Sequence, residues 1–135
     1  MDGKTLLDNI PEGLPEDVPI VMLNLLQWNE NANYPQDSSH PPCTGREAYL
    51  QRYVPTFRPI AEKWGGSTVV YIGKPAATLV GPDEKKFDVV ALVKYPNIGV
   101  FRRIVGSDEY KTNAAPHRIA ALKEWRLVVT IENQV

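Results

Sequence analysis

The residues best suited to chemistry lie together near the C-terminus, in the stretch Ala115-Pro116-His117-Arg118. The stretch falls near the start of a predicted helix, where free backbone N–H groups and the helix dipole favour an anionic ligand. There we expect the guanidinium fork of Arg118 to hold an oxyanion, and His117, kept neutral by a lowered pKa, to move a proton. In the structural alternative, His117 satisfies a hydrogen bond and Arg118 pairs with a surface acid.

Four further side chains are candidates for substrate binding. Asn24 is a polar residue within an apolar strand, where its amide either braces the sheet or faces a ligand. Trp28 shares its strand face and could roof a cavity. Tyr49, Tyr53 and Phe57 recur at four-residue spacing, and this aromatic stripe suits either an aromatic ligand or the protein core. If they form a site, Asn24 and Tyr53 orient the substrate, and Trp28 and Tyr49 wall the pocket.

Several other kinds of function are not indicated. The chain has two histidines and one cysteine, without metal-ligand spacing, so we expect no metal site and no disulfide. It has no GxGxxG or Walker motif, so no cofactor is expected, and it has no GxSxG motif, which argues against a serine hydrolase. A net charge of −1 with scattered basic residues argues against a nucleic-acid partner. The lack of a long apolar run or a signal peptide predicts a cytoplasmic protein without a membrane partner.

These residues must be positioned by the elements of one domain, predicted to span residues 18–135 after an N-terminal extension, residues 1–17. The chain is 135 residues long, which fits a single hydrophobic core. Hydrophobic periodicity, proline and capping signals locate the elements. Strands are predicted at residues 20–28, 68–80 with a bend at 73–75, 87–95 and 126–132, with a turn at 81–85. Helices are predicted at 44–62, where Thr44 and Glu47 form a capping box, at 98–105, and at 114–123, capped by Thr112 or Asn113.

The resulting order, β-α-β-β-α-β, is typical of a ferredoxin-like α+β sandwich with an antiparallel sheet and helices on one face. The strands are apolar on both faces. Each Val or Leu left in water forgoes about 1.5–3 kcal/mol of burial. We therefore expect a homodimer packed sheet against sheet, which leaves the helix-covered side for a pocket.

Two irregular features bear on that pocket. Pro55 and Pro59 remove backbone donors from the first long helix, so a kink or a two-part helix is expected. Residues 29–42 form a polar loop long enough to be functional, although a mobile insertion is the alternative.

Three segments carry a family resemblance: residues 21–26 (VMLNLL), 45–53 (GREAYLQRY) and 114–122 (AAPHRIAAL). Together they make the chain, over roughly residues 18–130, similar to the "domain of unknown function 1330" family. The resemblance implies a dimeric α/β-barrel of ferredoxin-like subunits. The wider superfamily includes cofactor-free monooxygenases, dismutase-like enzymes, decarboxylases and cyclases that act on small aromatic or polyketide-like molecules. Any such activity in this chain would be an analogy based on the fold alone.

The leading hypothesis is a cofactor-independent enzyme, of oxygenase, lyase or isomerase type, acting by acid/base chemistry. Its substrate would be a small organic acid or a phenolic or polyketide-like molecule. A non-catalytic dimer that binds or senses a metabolite in the same pocket is the main alternative. A third hypothesis is a structural dimer that regulates a partner protein.

Overall fold

Four strands form a single antiparallel sheet in the order β2-β3-β1-β4 in the computed structural model, which describes residues 3–83 and 86–135. This order, with helices between the strands, confirms the predicted ferredoxin-like fold. The strands are β1 (Ile20–Trp28), β2 (Thr68–Gly73), β3 (Val89–Tyr95) and β4 (Leu122–Thr130).

The helical part of the chain contains two widened, π-helical segments besides its α-helices. The segment π1 (Ala48–Tyr53) joins two α-helices into one continuous helix, and π2 (Tyr110–Ala114) leads directly into the last α-helix. Among the described residues, no helix is long and apolar enough to cross a membrane. The α-helices are α1 (Gly3–Asp8), α2 (Gly45–Glu47), α3 (Val54–Trp64), α4 (Ile98–Gly106) and α5 (Ala115–Ala121).

The central strand β1 alternates as its sequence predicts. One face of it is buried against the helices, and in register on that face Asn24 pairs with Ala91 of β3 and with Leu127 of β4. The opposite face of β1 carries Leu23 and Leu25, which no helix covers fully. The core therefore lies on one side of the sheet, as the ferredoxin-like pattern requires. Its buried strand residues include Ile20, Met22, Leu26, Ala91 and Tyr95.

This first long helix begins at the capping box of Thr44 and Glu47, as predicted. The Thr44 side chain accepts from the backbone N–H of Glu47, and the Glu47 carboxylate accepts from that of Thr44. Next to this cap, Gly45 sits where the backbones of the loop and of α5 meet. A β-carbon at Gly45 would overlap the carbonyl oxygen of Asn29 and lie 2.6 Å from that of Ala121. Only glycine allows this approach.

Proline explains both π-helical segments. In each one a tyrosine carbonyl accepts a hydrogen bond from the fifth residue along: Val54 bonds to Tyr49, and Ala115 bonds to Tyr110. A proline follows immediately, Pro55 in the first case and Pro116 in the second. A proline ring clashes with the carbonyl four residues earlier, and the wider turn relieves that clash. In place of the predicted kink or two-part helix, the helix widens before Pro55 and continues, and Pro59 lies inside α3.

Several predicted boundaries are wrong. Residues 76–80 do not continue β2, because the chain leaves the sheet after Gly73 and Pro75 supplies no N–H for a ladder. The last helix ends at Ala121, and β4 begins at Leu122, whose backbone is already extended. The expected cap at Thr112 or Asn113 is not formed, since both residues lie inside π2. The predicted turn at residues 81–85 lies partly outside the described residues.

The segment predicted as an N-terminal extension contributes to the core in its described part. Leu6 of α1 is 7% exposed and belongs to the main hydrophobic cluster, with Leu7, Ile10 and Leu14 packed against it. This segment therefore helps to position the helices that cover the sheet.

Candidate functional site

A cavity of about 200 Å³ lies between the inner face of the sheet and the helices; we call it the sheet–helix cavity. It contains all four residues predicted to bind substrate: Asn24, Trp28, Tyr49 and Tyr53. Apolar side chains make up most of the remaining lining, a composition typical of small-molecule sites. These include Leu26, Val54, Phe57, Val69, Ile72, Ala91, Val93 and Leu127.

One wall of the cavity is a continuous row of aromatic rings. The ring centroids of Trp28 and Tyr49 are 5.3 Å apart, and those of Tyr49 and Tyr53 are 4.8 Å apart. Phe57 continues the row with its ring stacked on Tyr53 at 5.7 Å. These distances are those of favourable aromatic pairs, so the wall is held rigid before any ligand arrives.

The polar end of the cavity is built around Tyr110. Its hydroxyl lies 3.0 Å from the hydroxyl of Tyr53 and accepts a hydrogen bond from Nε of Arg118 at 3.1 Å. Arg118 is 2% exposed, and its guanidinium carbon lies 4.5 Å from the ring centroid of Trp125. Arg118 thus reaches the cavity indirectly, through two lining residues that it touches.

Asn24 braces the sheet. Its Nδ2 donates to the carbonyl oxygen of Met22 at 3.2 Å, and its Oδ1 accepts from Nε1 of Trp125 at 3.1 Å. The amide therefore fixes the Trp125 indole in the cavity wall. The sequence left two roles open for the Asn24 amide, bracing the sheet or facing a ligand. These contacts correspond to the bracing role, and one N–H of the amide remains for another acceptor.

Burial fixes the protonation of the wall tyrosines. Desolvation raises the pKa of Tyr49, and that of Tyr53, above the usual range, and neighbouring Tyr110 adds to both shifts. Both phenols therefore stay neutral near pH 7. The Tyr49 hydroxyl makes no hydrogen bond to any residue in the described ranges, which leaves it as a donor for a ligand.

His117 is placed differently from the sequence expectation. It does not line the sheet–helix cavity but faces the loop of residues 29–42. Its Nδ1 lies 2.7 Å from the hydroxyl of Tyr34, and its ring lies 4.5 Å from that of His40. Arg52 completes this group, with its guanidinium 5.4 Å from the Tyr34 ring centroid. His117, Arg118 and Asn24 therefore do not converge on one cavity.

The pKa of His117 is lowered, as predicted, but for another reason. Desolvation is the main cause, followed by the nearby His40 and Arg52. The expected helix start is not free, because α5 continues π2 and the Ala115 N–H already bonds to Tyr110. The anion site expected at that helix start is therefore not formed.

The loop that contacts His117 is anchored along its length. Backbone bonds join Ala32 to Cys43 and Asn33 to Ala120, each at 2.8 Å. Nη2 of Arg52 donates to the carbonyl oxygen of Pro41, also at 2.8 Å. The loop thus forms a fixed cover over α5 and π1.

Sequence reasoning missed five residues of these clusters: Tyr34, His40, Arg52, Tyr110 and Trp125. A signal for Tyr110 does exist. In both π-helical segments a tyrosine precedes a proline by six positions, Tyr49 before Pro55 and Tyr110 before Pro116. Since π-helical turns often mark functional sites, this repeated spacing is a sequence signal for Tyr110 as a candidate residue. Within residues 3–83 and 86–135, no group of three or more His, Cys, Asp or Glu side chains is placed to hold a metal ion.

The chain is similar to a protein of known structure. No family model and no curated protein matches the chain. A crystal structure of RPA0582, a protein of unknown function from Rhodopseudomonas palustris, superposes with a TM-score of 0.76 at 29% identity, covering 98% of this chain and 92% of that one. A structure of methylated RPA0582 gives 0.75 at 30% identity, covering 97% and 89%. The chain thus belongs to the same family as RPA0582.

Proposed function

We propose that the protein binds a small aromatic molecule in the sheet–helix cavity. The observation that carries this proposal is the row of contacting aromatic rings beside an open space of about 200 Å³, formed by Trp28, Tyr49, Tyr53 and Phe57. An apolar cavity of about 150 Å³ is large enough for benzene, so one substituted ring or a compact double ring fits here. The free hydroxyl of Tyr49 supplies a donor for a ligand oxygen.

The cavity opens at the sheet edge, where two adjacent valines make a matched pair. Val69 lines the cavity and is 54% exposed, whereas Val70 is 50% exposed and does not line it. Tryptophan at either position is tolerated by the fold because both side chains are half in solvent. Only Val69→Trp narrows the cavity mouth.

The test is a titration with 2-naphthol, followed by the fluorescence of the protein's tryptophans, two of which line the cavity. We expect saturable quenching in the parent protein and in Val70→Trp, and little or none in Val69→Trp. Equal binding by the two variants, or no binding by the parent, contradicts the proposal.

A second candidate function, cofactor-independent acid/base catalysis, is favoured by the Arg118–Tyr110 hydrogen bond. The guanidinium fixes the position of the Tyr110 hydroxyl in the cavity wall, where it can reach a substrate atom. In this enzyme Tyr110 takes the proton-transfer role that the sequence assigned to His117. Tyr110→Phe should then abolish turnover of a phenolic substrate while leaving its binding in place, and unchanged turnover would exclude the role.

The proposal extends to a homodimer formed through the uncovered sheet face. In register across that face lie Leu23 beside Leu92 and Val128, and Leu25 beside Val90. Four of these side chains are already partly buried in the single chain, so covering them with a second copy contributes only part of the about 1.5–3 kcal/mol gained by full burial of a Leu or Val.

A further inference from the structure

The sheet–helix cavity carries an uneven distribution of charge. Among its described lining residues, Arg58 is the single charged side chain, and none is acidic. Arg58 lies on the exposed side of α3, so its guanidinium stands at the cavity mouth and not in its interior. A cation at the entrance to an apolar space favours a ligand with one negative group and an apolar body.

Arg58 is available to such a ligand. It makes no hydrogen bond or ion pair with any residue that the structure describes. The nearest acid along its helix, Glu62, is one turn away, and its carboxylate lies beside Gly66. Ser67, which also lines the cavity, has a hydroxyl without a hydrogen bond among the described residues. The mouth thus offers two donors that suit a carboxylate.

The interior excludes the charged group and accepts the ring. Its polar groups are phenols, two indole N–H groups and one amide, and the amide oxygen already accepts from the indole of Trp125. Moving a carboxylate into that environment costs far more than leaving it at the mouth beside a solvated guanidinium. The cavity therefore orients such a ligand, with its ring in the interior and its carboxylate at the mouth.

We infer that the cavity binds arylalkanoic acids, with the ring against Tyr49 and Tyr53 and the carboxylate on Arg58. This inference rests on the proposed function and narrows its ligand to one class. Arg58 acts as a specificity-determining residue, because it contributes binding free energy only to the charged form. The Tyr49 hydroxyl and the aromatic wall contribute equally to acid and neutral analogue.

The test compares two probes of nearly equal shape, 3-phenylpropionate and 3-phenylpropanamide, by isothermal titration calorimetry. Two arginine variants are used: Arg58→Gln, and Arg103→Gln as a control at an exposed arginine outside the cavity. We expect the parent to bind the acid more tightly than the amide. Arg58→Gln should weaken acid binding by about three- to tenfold, the range of a solvent-exposed or partly shielded ion pair, and leave amide binding unchanged.

The outcomes separate this inference from the proposed function. Val69→Trp should abolish binding of both probes. If the parent binds both probes equally, or if Arg58→Gln leaves the ratio of acid affinity to amide affinity unchanged, the inferred preference for an acid is wrong while the cavity remains a binding site. If neither probe binds the parent protein, the proposed function fails together with the inference. If Arg103→Gln weakens the acid as much as Arg58→Gln does, general surface charge accounts for the effect and Arg58 has no specific role.

Discussion

Nε of Arg118 donates a hydrogen bond to the hydroxyl oxygen of Tyr110 at 3.1 Å, and this contact links α5 to the wall of the sheet–helix cavity. Tyr110 belongs to π2, and its phenol also meets Tyr53 of π1 at 3.0 Å. One short network therefore ties both π-helical segments together. It keeps a buried guanidinium next to the cavity without exposing it to the interior space.

Removing one oxygen tests this network. Tyr110→Phe leaves the Arg118 Nε and the Tyr53 hydroxyl without their shared partner, and an unsatisfied buried polar group costs about 1–3 kcal/mol. We expect the free energy of unfolding in urea to fall by that amount. Tyr49→Phe is the matched control, because the Tyr49 hydroxyl has no hydrogen-bond partner among the described residues, and its loss should change stability by less than about 0.5 kcal/mol. Equal effects of the two variants would show that the network is not stabilising.

His117 should make the stability of the protein depend on pH. Its pKa is lowered from 6.5 mainly by burial, so the unfolded chain binds a proton more readily than the folded one. The contribution of neutral His117 to the free energy of unfolding is fully present above about pH 6.5. It is lost as the pH falls through the lowered pKa of His117 in the folded protein. In His117→Gln this part of the decline should disappear, as measured by urea unfolding between pH 7 and pH 5.

His40→Gln provides the comparison for that experiment. His40 is exposed and acts on His117 only as a secondary charge, so this variant should keep most of the decline. The assignment to His117 would be refuted by identical pH profiles in the parent and His117→Gln.

Gly45 should not tolerate alanine. The added methyl group would overlap the carbonyl of Asn29 and press on that of Ala121, both of which are backbone atoms. We expect Gly45→Ala to lower the melting temperature strongly, at a cost of about 3 kcal/mol or more from backbone displacement. Gly106→Ala is the control, since its nearest neighbour is the flexible end of Leu7 at 3.3 Å. A Gly45→Ala protein as stable as Gly106→Ala would contradict the close approach described here.

The proposed dimer predicts a variant with a changed mass in solution. Leu92 lies at the centre of the uncovered sheet face, opposite Leu23. An arginine there would bury two charges against each other across a two-fold axis, so Leu92→Arg should be monomeric by light scattering. Val80→Arg, at a residue 94% exposed and outside the sheet, should remain dimeric. A parent protein that is monomeric at micromolar concentration would rule the dimer out.

Much of the fold and part of the site could be predicted from sequence because two simple periods determine them. Alternation along β1 placed Asn24 and Trp28 on one face, and four-residue spacing aligned Tyr49 with Tyr53. The structure brings these four residues to one cavity. The prediction failed where the local period changes, since π2 adds a residue to its turn and rotates the helix that follows. His117 consequently faces the loop.

The partner of His117 could not have been identified in advance. Tyr34 lies 83 residues earlier, in a loop without periodicity, and only the tertiary fold brings it to the imidazole. The same applies to Trp125, which reaches Asn24 across a strand pair whose register depends on a bulge between Gln27 and Trp28.

The central claim, that the sheet–helix cavity is the binding site, is tested most directly by intermolecular nuclear Overhauser effects from bound 2-naphthol. We predict contacts from the naphthol ring to the methyl groups of Leu26, Ala91 and Val93, which line the cavity. Contacts confined to Leu92 and Val128 on the opposite sheet face, or none at all with ligand in excess, would contradict it.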